Sequence, residues 1–320
     1  MRTIKINFVD YYGGFNPESN FIIDTLRAKY HVEISDNPDY LFFSCFGVIH
    51  LSYHHCVKIF FTGESLVPDF NVCDYALGFD WIEFGDRYLR LPLYQTWDSF
   101  AQFPRKKEYS EEQVLNRKFC SIVVSNTRSA DPIRERFFRL LSEYKKVDSG
   151  GRAWNNIGGP VDNKLDFVGQ YKFNIAFENN SAVGYTTEKI MEPMVVNSIP
   201  IYRGNPLIGK DFNPRSFINT HDFKSLEDAV EYIVELDSSD EKYLNMLKQP
   251  WILDESIYEW REHLLRFLST IIEKPLDEAR YLSDYGIRER YVRNLKIADF
   301  FNNKMRVGRM ISAYKRICKK

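Results

Sequence analysis

The sequence predicts an α/β protein of two doubly wound domains followed by a basic helical tail. Short runs rich in Val, Ile, Phe and Tyr alternate with helical periods twice along the chain. Its 320 residues exceed one ordinary domain and can bury a large core without disulfide or metal staples. With 27% charged and 44% hydrophobic residues, the composition excludes a mostly disordered chain, a collagen and a coiled coil.

The elements follow in order. Thr3–Val9 reads as a strand and Glu18–Tyr30 as a helix ending in basic residues. Tyr40–Ser44, Val57–Phe61 and Tyr75–Leu77 have the length and composition of buried parallel strands. Residues 98–118 turn polar and carry Pro104, which places a linker or surface excursion there. Phe119–Ser125 begins a second α/β unit, and Asp131 with Pro132 opens a helix reaching about Tyr144. Val147–Asp148 leads into the glycine-rich stretch SGGRAWNNIGGPV. Phe173–Phe177 is a strand, Thr187–Val196 a helix and Ile199–Tyr202 a strand, and 225–236 and 256–272 have helical periodicity. The expected division is 1–117, 118–275 and a tail at 276–320, with a cleft between two facing domains.

Charge is balanced overall, 43 basic against 44 acidic residues, so a whole-protein footprint for nucleic acid is absent. The balance hides an asymmetry. From Gly286 on, eleven Lys and Arg face only Glu289 and Asp299, so this stretch is +9 and the remainder about −10. Ile297–Phe301 and Val307, Met310, Ile311, Tyr314 and Ile317 put apolar groups at helical spacing between those cations. That pattern predicts an amphipathic helix on an anionic membrane surface; the competing reading is a helix packed back on the N-terminal domain. No aromatic stacking platform accompanies the cations, which argues against nucleic acid. Five cysteines without a CxxC pair favour a reducing compartment. The opening MRTIKINFVDYYGG reaches strand-like sequence without the apolar run of a signal peptide, and ~18 consecutive apolar residues occur nowhere. The expected location is cytoplasmic, peripheral on the inner face of the cytoplasmic membrane.

Two apparent motifs lead nowhere. Gly204 to Lys210 fits GxxxxGK, but Asp211 stands where a Ser or Thr must reach magnesium, and Pro214 follows without a helical period. His54-His55-Cys56 are adjacent, and neighbours on an extended chain point to opposite faces. No two aspartates are two residues apart. Transferases that hold a sugar nucleotide through a divalent ion commonly use such a pair. Its absence points to a diphosphate held by protein cations and backbone N–H groups, with no metal site or required cofactor.

The most informative stretch is YKFNIAFENNSAVGYTTEKIMEPMVVNSIPIYRGNP, Tyr171 to Pro206. An apolar strand ends in Phe177-Glu178-Asn179, a small loop with Gly184 follows, and Thr186 or Thr187 can cap a helix carrying Glu188 and Lys189 in its first turn. In an open α/β sheet, ligands bind at this end of the strands. The helix dipole and Lys189 suit a phosphate, while Glu188 suits sugar hydroxyls. A capping box without a ligand has the same spacing.

This stretch closely resembles the signature of the alpha-1,3-fucosyltransferases, glycosyltransferase family 10, which reads F-x-x-x-F-E-N…Y-x-T-E-K; here it runs from Phe173 to Lys189. Val57–Tyr94 resembles the family's acceptor-side segment through Thr62-Gly63-Glu64, Pro68-Asp69-Phe70, Asp74-Tyr75-Ala76, Gly78-Phe79-Asp80 and Arg87-Tyr88. Ser125–Arg134, with Ile133-Arg134, is a third matching block. The resemblance covers roughly residues 1–275 and is nearest to bacterial members that modify lipopolysaccharide.

The resemblance implies a GT-B-like fold, an N-terminal acceptor domain and a C-terminal GDP-fucose domain. It implies inverting transfer of L-fucose from GDP-fucose to a hydroxyl, expected to be O3, of N-acetylglucosamine in a glycan such as a lipopolysaccharide O-antigen, giving a Lewis x-type product. Glu64 matches the family's proposed base. Arg134 and Lys189 match the cations on the diphosphate, Glu188 the acceptor of sugar hydroxyl bonds, and Asn179 and Tyr185 the lining of the sugar–phosphate region. Gly150 and Gly151 would let backbone approach the nucleotide, or form a loop turn. The sequon Asn179-Asn180-Ser181 fits only a compartment without glycosylation machinery, and the seven-residue repeats of some bacterial members are not found. Two alternatives stand beside this reading: transfer of another GDP-sugar, and a non-catalytic, membrane-tethered sugar-nucleotide or glycan-binding protein.

Overall fold

The computed structural model describes residues 1–97, 100–101, 108–125 and 131–305. Along the chain run β1 (Thr3–Val9), α1 (Phe21–Arg27), β2 (His31–Ile34), β3 (Tyr40–Phe43), β4 (Val57–Phe60), β5 (Tyr75–Gly78), β6 (Tyr88–Arg90), α2 (Glu111–Leu115) and β7 (Lys118–Ile122). Then come α3 (Ile133–Tyr144), β8 (Val147–Ser149), α4 (Lys164–Val168), β9 (Tyr171–Phe177), α5 (Glu188–Val195), β10 (Ile199–Arg203) and β11 (Ile218–Asn219). The last helices are α6 (Leu226–Asp237), α7 (Asp240–Leu247), α8 (Trp260–Ile272), α9 (Leu276–Ala279) and α10 (Ile287–Asp299). They form two compact units, each with a parallel sheet, in the α/β class that the sequence predicts.

One unit holds Met1–Gly78, Ile82–Leu91 and the chain from Trp260 on. Its six strands are parallel in the order β2-β1-β3-β4-β5-β6. Strands β3, β4 and β5 are buried along their whole length, which is why they read as unbroken apolar runs. Helix α1 starts later than the apolar period implies, because the Asn20 side chain caps it by accepting from the N–H groups of Ile22 and Ile23.

Helix α8 belongs to this unit, so the expected boundaries at 117/118 and 275/276 are not those of the compact units. Trp260 meets Phe21 of α1 edge-on at 6.0 Å, and the Ile272 carbonyl accepts from Arg2 and from the Tyr40 hydroxyl. A helical period shows that α8 has an apolar face; it does not say which sheet will cover it.

The chain after α8 also returns to this sheet. The buried Asp74 carboxylate accepts from the N–H of Lys58 at 2.8 Å and from those of Tyr281 and Leu282 at 2.7 and 2.9 Å. This staple lays α10 over β4, where Val292 and Leu295 pack against the cluster containing Phe43, Phe60 and Ala76. The tail thus packs on the N-terminal sheet as far as α10. Arg306 to Lys320, including most of the apolar positions behind the membrane expectation, lie outside the described residues. Among the described residues, no helix is long and apolar enough to cross a membrane.

The second unit holds Phe79–Trp81 and Pro92–Glu259. Its five strands are parallel in the order β11-β10-β9-β7-β8. All seven residues of β9 are buried, and Phe137 of α3 packs on Phe177 at 4.9 Å. Strand order reverses between β7 and β9, which opens a crevice at their carboxyl ends. Of the polar stretch 98–118, Glu111–Leu115 is helical, capped reciprocally by Ser110 and Gln113; residues 98–99 and 102–107 lie outside the described residues. The GxxxxGK stretch leads only into 3₁₀ turns at Ile208–Lys210 and Pro214–Ser216.

Strand β4 buries Lys58, 4% exposed, and its ammonium has no hydrogen bond or ion pair among the described residues. Burial pushes its pKa down to about 8, against the pull of Cys56, Asp74 and Asp284 and with the help of Arg288. The folded chain therefore holds fewer protons than the unfolded chain between pH about 8 and the ordinary lysine value of 10.5. The destabilisation is full below pH 8 and is relieved as the pH rises to 10.5. Lys58→Met should stabilise the protein at pH 7 by on the order of 3 kcal/mol, raising the thermal midpoint, and the gain should shrink toward pH 10. Scanning calorimetry at both pH values checks this, and an unchanged midpoint at pH 7 counts against a buried, charged lysine.

Candidate active site

Strand β9 runs out at Phe177, and the next two residues organise the crevice. The Glu178 N–H donates to the Arg203 carbonyl at 2.7 Å, so β10 holds the turn in place. The Glu178 carboxylate, 3% exposed, accepts from the Thr187 N–H at 2.7 Å and the Thr187 hydroxyl at 2.8 Å, and pairs with Lys189 Nζ at 3.1 Å. Asn179 Oδ1 accepts from Arg134 Nη2 at 2.7 Å, and its carbonyl accepts from the Asp131 N–H at 2.9 Å. Arg134 and Lys189, 55 positions apart in the chain, therefore meet consecutive residues.

Arg134 is 3% exposed, and its Nε has no hydrogen-bond partner. No carboxylate lies within ion-pair distance of it among the described residues. Burial lowers its pKa, with Glu178 and Asp131 opposing from farther away. Lys189 is also enclosed, and burial works against its charge, yet Glu178 and Glu188 hold its pKa above the ordinary lysine value. Burial would raise the Glu188 pKa, but Lys189 and Lys164 hold it below the usual carboxylate range. All three groups are thus charged at neutral pH.

The sequence places the cap of α5 at Thr186 or Thr187. Thr187 occupies that position, but its side chain makes no capping bond, because its hydroxyl serves Glu178. Without a bond from its cap residue, the opening turn of α5 keeps N–H groups that suit an anion, although the Glu188 carboxylate accepts from its own N–H. The loop before it is fixed by the fully buried Asn205, which accepts from the N–H groups of Gly184 and Leu207 and donates to Thr186 Oγ1. Gly184 has φ +81°, and a Cβ there would strike the Phe79 carbonyl. Tyr185 is buried with its ring edge-on to Phe79 at 5.2 Å, so packing already occupies the ring expected to line the sugar–phosphate region.

Packing also accounts for Gly150 and Gly151. A Cβ on Gly150 would meet Phe167 and Val161, and one on Gly151 would run into the Val124 backbone. Their missing side chains admit the protein's own atoms. A cavity of about 400 Å³ opens beside Ile133, Arg203, Thr220 and His221. Arg203 ends β10 with a buried, unpartnered Nε.

Glu64 lies in the other unit, exposed, in the loop after β4, which ends at Phe60. Thr62 Oγ1 accepts from the Glu64 N–H at 3.2 Å and lies 3.1 Å from Cys45 Sγ. In this sheet, strand order reverses between β1 and β3. The loops leaving those two strands are clamped by Asp10 (φ +60°), whose buried carboxylate accepts from the N–H groups of Ile49 and His50 at 2.9 Å. The clamp leaves Tyr12 and Phe46 56% and 50% exposed, edge to face at 6.3 Å.

Glu178, Thr187, Asn205 and Arg203 were not singled out as site residues by sequence reasoning. For Glu178 a signal existed: an acid and an amide directly after seven strand residues that are all buried. For Arg203 and Asn205 there was none.

Two family models match the chain. The alpha-(1,3)-fucosyltransferase FucT N-terminal domain covers residues 6–97, and the C-terminal region of glycosyltransferase family 10 (fucosyltransferase) covers 114–276. The chain belongs to glycosyltransferase family 10. It is 37% identical over 292 residues to alpha-(1,3)-fucosyltransferase FucT of Helicobacter pylori, covering 78% of this chain and 61% of that protein. The chain thus spans about three fifths of that relative's length. It is 30% identical over 146 residues to a Bos taurus 3-galactosyl-N-acetylglucosaminide 4-alpha-L-fucosyltransferase, FUT3, covering 45% of this chain and 39% of that one. The crystal structure of an alpha1,3-fucosyltransferase with GDP-fucose superposes with a TM-score of 0.74 at 32% identity, over 86% of this chain and 92% of that one. The likeness supports the GT-B fold that the sequence implies.

Gly204 tests how tightly this family 10 site is built. A Cβ there would press into Glu178 Cγ and the Tyr202 hydroxyl. Gly204→Ala should destabilise the protein by about 1–3 kcal/mol and weaken GDP binding several-fold. Calorimetry and titration with GDP check this; unchanged GDP affinity would mean that Glu178 need not be held in place.

Proposed function

We propose that this family 10 member is an inverting alpha-1,3-fucosyltransferase using GDP-fucose. The observation that carries the donor half is Arg134, a buried cation with an unpartnered nitrogen and no counter-ion among the described residues, tied through Asn179 and Glu178 to Lys189 at the reversal of strand order. Buried charges are normally paired; a diphosphate supplies the partner. The nucleoside lies along the cavity at Arg203 and His221. Glu188 takes hydrogen bonds from sugar hydroxyls, with Asn179 and Tyr185 at the edge of that region.

The acceptor half falls to the other unit. Tyr12 and Phe46 stand where an open sheet binds ligands, and exposed rings of this kind stack on the apolar face of a pyranose. Glu64 takes the proton of the acceptor hydroxyl. That oxygen attacks fucose C1 on the side opposite the diphosphate, the C1–O bond to phosphate breaks, and GDP departs with the electron pair. Inversion follows from the single displacement. Arg134 and Lys189 answer the growing charge on the leaving group, so no metal is required. The acceptor is N-acetylglucosamine in a lipopolysaccharide glycan; the alpha-(1,3) in the Helicobacter pylori relative's name supports O3, and the Bos taurus relative's name makes O4 the alternative.

We place the enzyme at the inner face of the cytoplasmic membrane. The +9 tail and the exposed Phe300, Phe301 and Met305 support this. Deleting residues 300–320 should release the protein from anionic vesicles, read by co-sedimentation, while activity on a soluble oligosaccharide persists.

Glu64→Ala should lower kcat by ~10²–10⁴ with GDP binding intact; near-normal turnover removes the assignment. Arg134→Ala should raise the KM for GDP-fucose and lower kcat, and an unchanged KM counts against the donor site. Phe46→Ala should raise the acceptor KM several-fold and leave the donor KM alone. Turnover on an acceptor panel, with linkage read by NMR and with EDTA added, separates O3 from O4. GDP binding without turnover on any acceptor would favour a binding protein, and transfer from GDP-mannose the other GDP-sugar reading. Loss of activity with EDTA would overturn metal independence.

A further inference from the structure

The cavity of about 490 Å³ between α10 and β4 has no part in the proposed transfer. Its volume is that of ordinary small-molecule sites. At its base is Lys58, 4% exposed, on the sheet face that α10 covers. The lysine reaches no acceptor among the described residues, although α10 packs over it. Glu289, Arg293 and Lys296 of α10 also line the cavity, without an ion pair among the described residues, while the two acids that act on Lys58 are committed elsewhere. Asp74 accepts from three backbone N–H groups. Asp284 pairs with Arg280 at 3.1 Å and Arg288 at 3.6 Å, and Arg288 also donates to the carbonyls of Asn71 and Ser283. Ile297, Phe300 and Phe301 give the cavity an apolar side, 46–48% exposed, next to the charged Arg293 and Lys296.

We propose that this cavity binds a single-chain amphiphilic anion, a carboxylate or phosphate monoester, with its head on Lys58 and its hydrocarbon along Ile297, Phe300 and Phe301. A buried ammonium needs a negative partner, and the exposed side chains above it need an apolar one. Neither inorganic phosphate nor an alcohol supplies both. The same chemistry could come from a free amphiphile or from a lipid drawn from a bilayer. Binding supplies the missing counter-ion, so it requires the protonated amine. Affinity should therefore fall as the pH rises through about 8, the value to which burial pushes Lys58 among Cys56, Asp74, Asp284, Arg288 and the nearby His54.

The test is calorimetric titration of the whole chain with octyl phosphate, octanoate, octanol and inorganic phosphate at pH 7 and pH 9.5. Octyl phosphate or octanoate should bind at least tenfold more tightly than octanol or phosphate, and at least fivefold more tightly at pH 7 than at pH 9.5. Lys58→Met, a replacement expected to fold, should lose that advantage over octanol, and Phe300→Ala/Phe301→Ala should weaken the long-chain ligands only. Fucose transfer to a soluble acceptor should be unchanged in Lys58→Met, so failure here is distinct from failure of the transferase reading. Co-sedimentation with phosphatidylglycerol vesicles separates the sources: a bilayer lipid if Lys58→Met also loses vesicle binding, a free amphiphile if it does not. Equal binding of octanol and octyl phosphate, binding untouched by Lys58→Met, or no binding to either anion would overturn the proposal.

Discussion

Two consecutive side chains at the end of a fully buried strand govern the donor half of this protein. Glu178 is shut off from water and Asn179 half-buried, because β9 is central in its sheet and β10 holds the turn that follows. Polar atoms so enclosed must be satisfied inside. Glu178 does so with Thr187 and Lys189, and Asn179 with Arg134. Each of these bonds orients a donor-site group and each removes a degree of freedom from it. Gly204 is small because Glu178 passes beside it, and Gly184 turns left-handed to clear Phe79.

The charge pattern that results is unusual for a resting interior. Arg134 has an amide oxygen where a buried cation normally has a carboxylate, and Thr187 gives its hydroxyl to Glu178 instead of to the helix it begins. A carboxylate on Arg134 would neutralise it and repel a diphosphate; a neutral amide orients it and leaves its charge for the ligand. Lys189 is shared with Glu178 and Glu188, so it is positioned but not free of counter-ions. Division of labour between the two cations follows. On the proposed reading Arg134 carries most of the unmet charge, and Lys189 fixes the loop as well as meeting the ligand.

The first sheet solves a similar problem with a different device. Asp10 adopts a left-handed backbone and uses both carboxylate oxygens to clamp the loop after β3. Asp74 does the same for the segment before α10. Each staple spends a buried carboxylate on backbone N–H groups and so leaves aromatic side chains exposed nearby. In the one case these are Tyr12 and Phe46, in the other the rim of the Lys58 cavity. Both staples join stretches far apart in the chain.

What the sequence determined by itself is local. Runs of buried strand residues gave β3, β4, β5 and β9, since a strand covered on both faces must be apolar throughout. Thr187, Glu188 and Lys189 follow β9 closely enough for their common site to be legible. What only the tertiary structure decided is everything that rests on distant pairs. Arg134 reaches Asn179 across 45 positions, α8 covers the first sheet and not the second, and Gly150 and Gly151 admit Phe167 and Val124. Lys58 reads as an ordinary strand lysine until α10 closes over it. The physical reason is common to all four: periodicity and composition say that a group must be covered or paired, while only packing says by what.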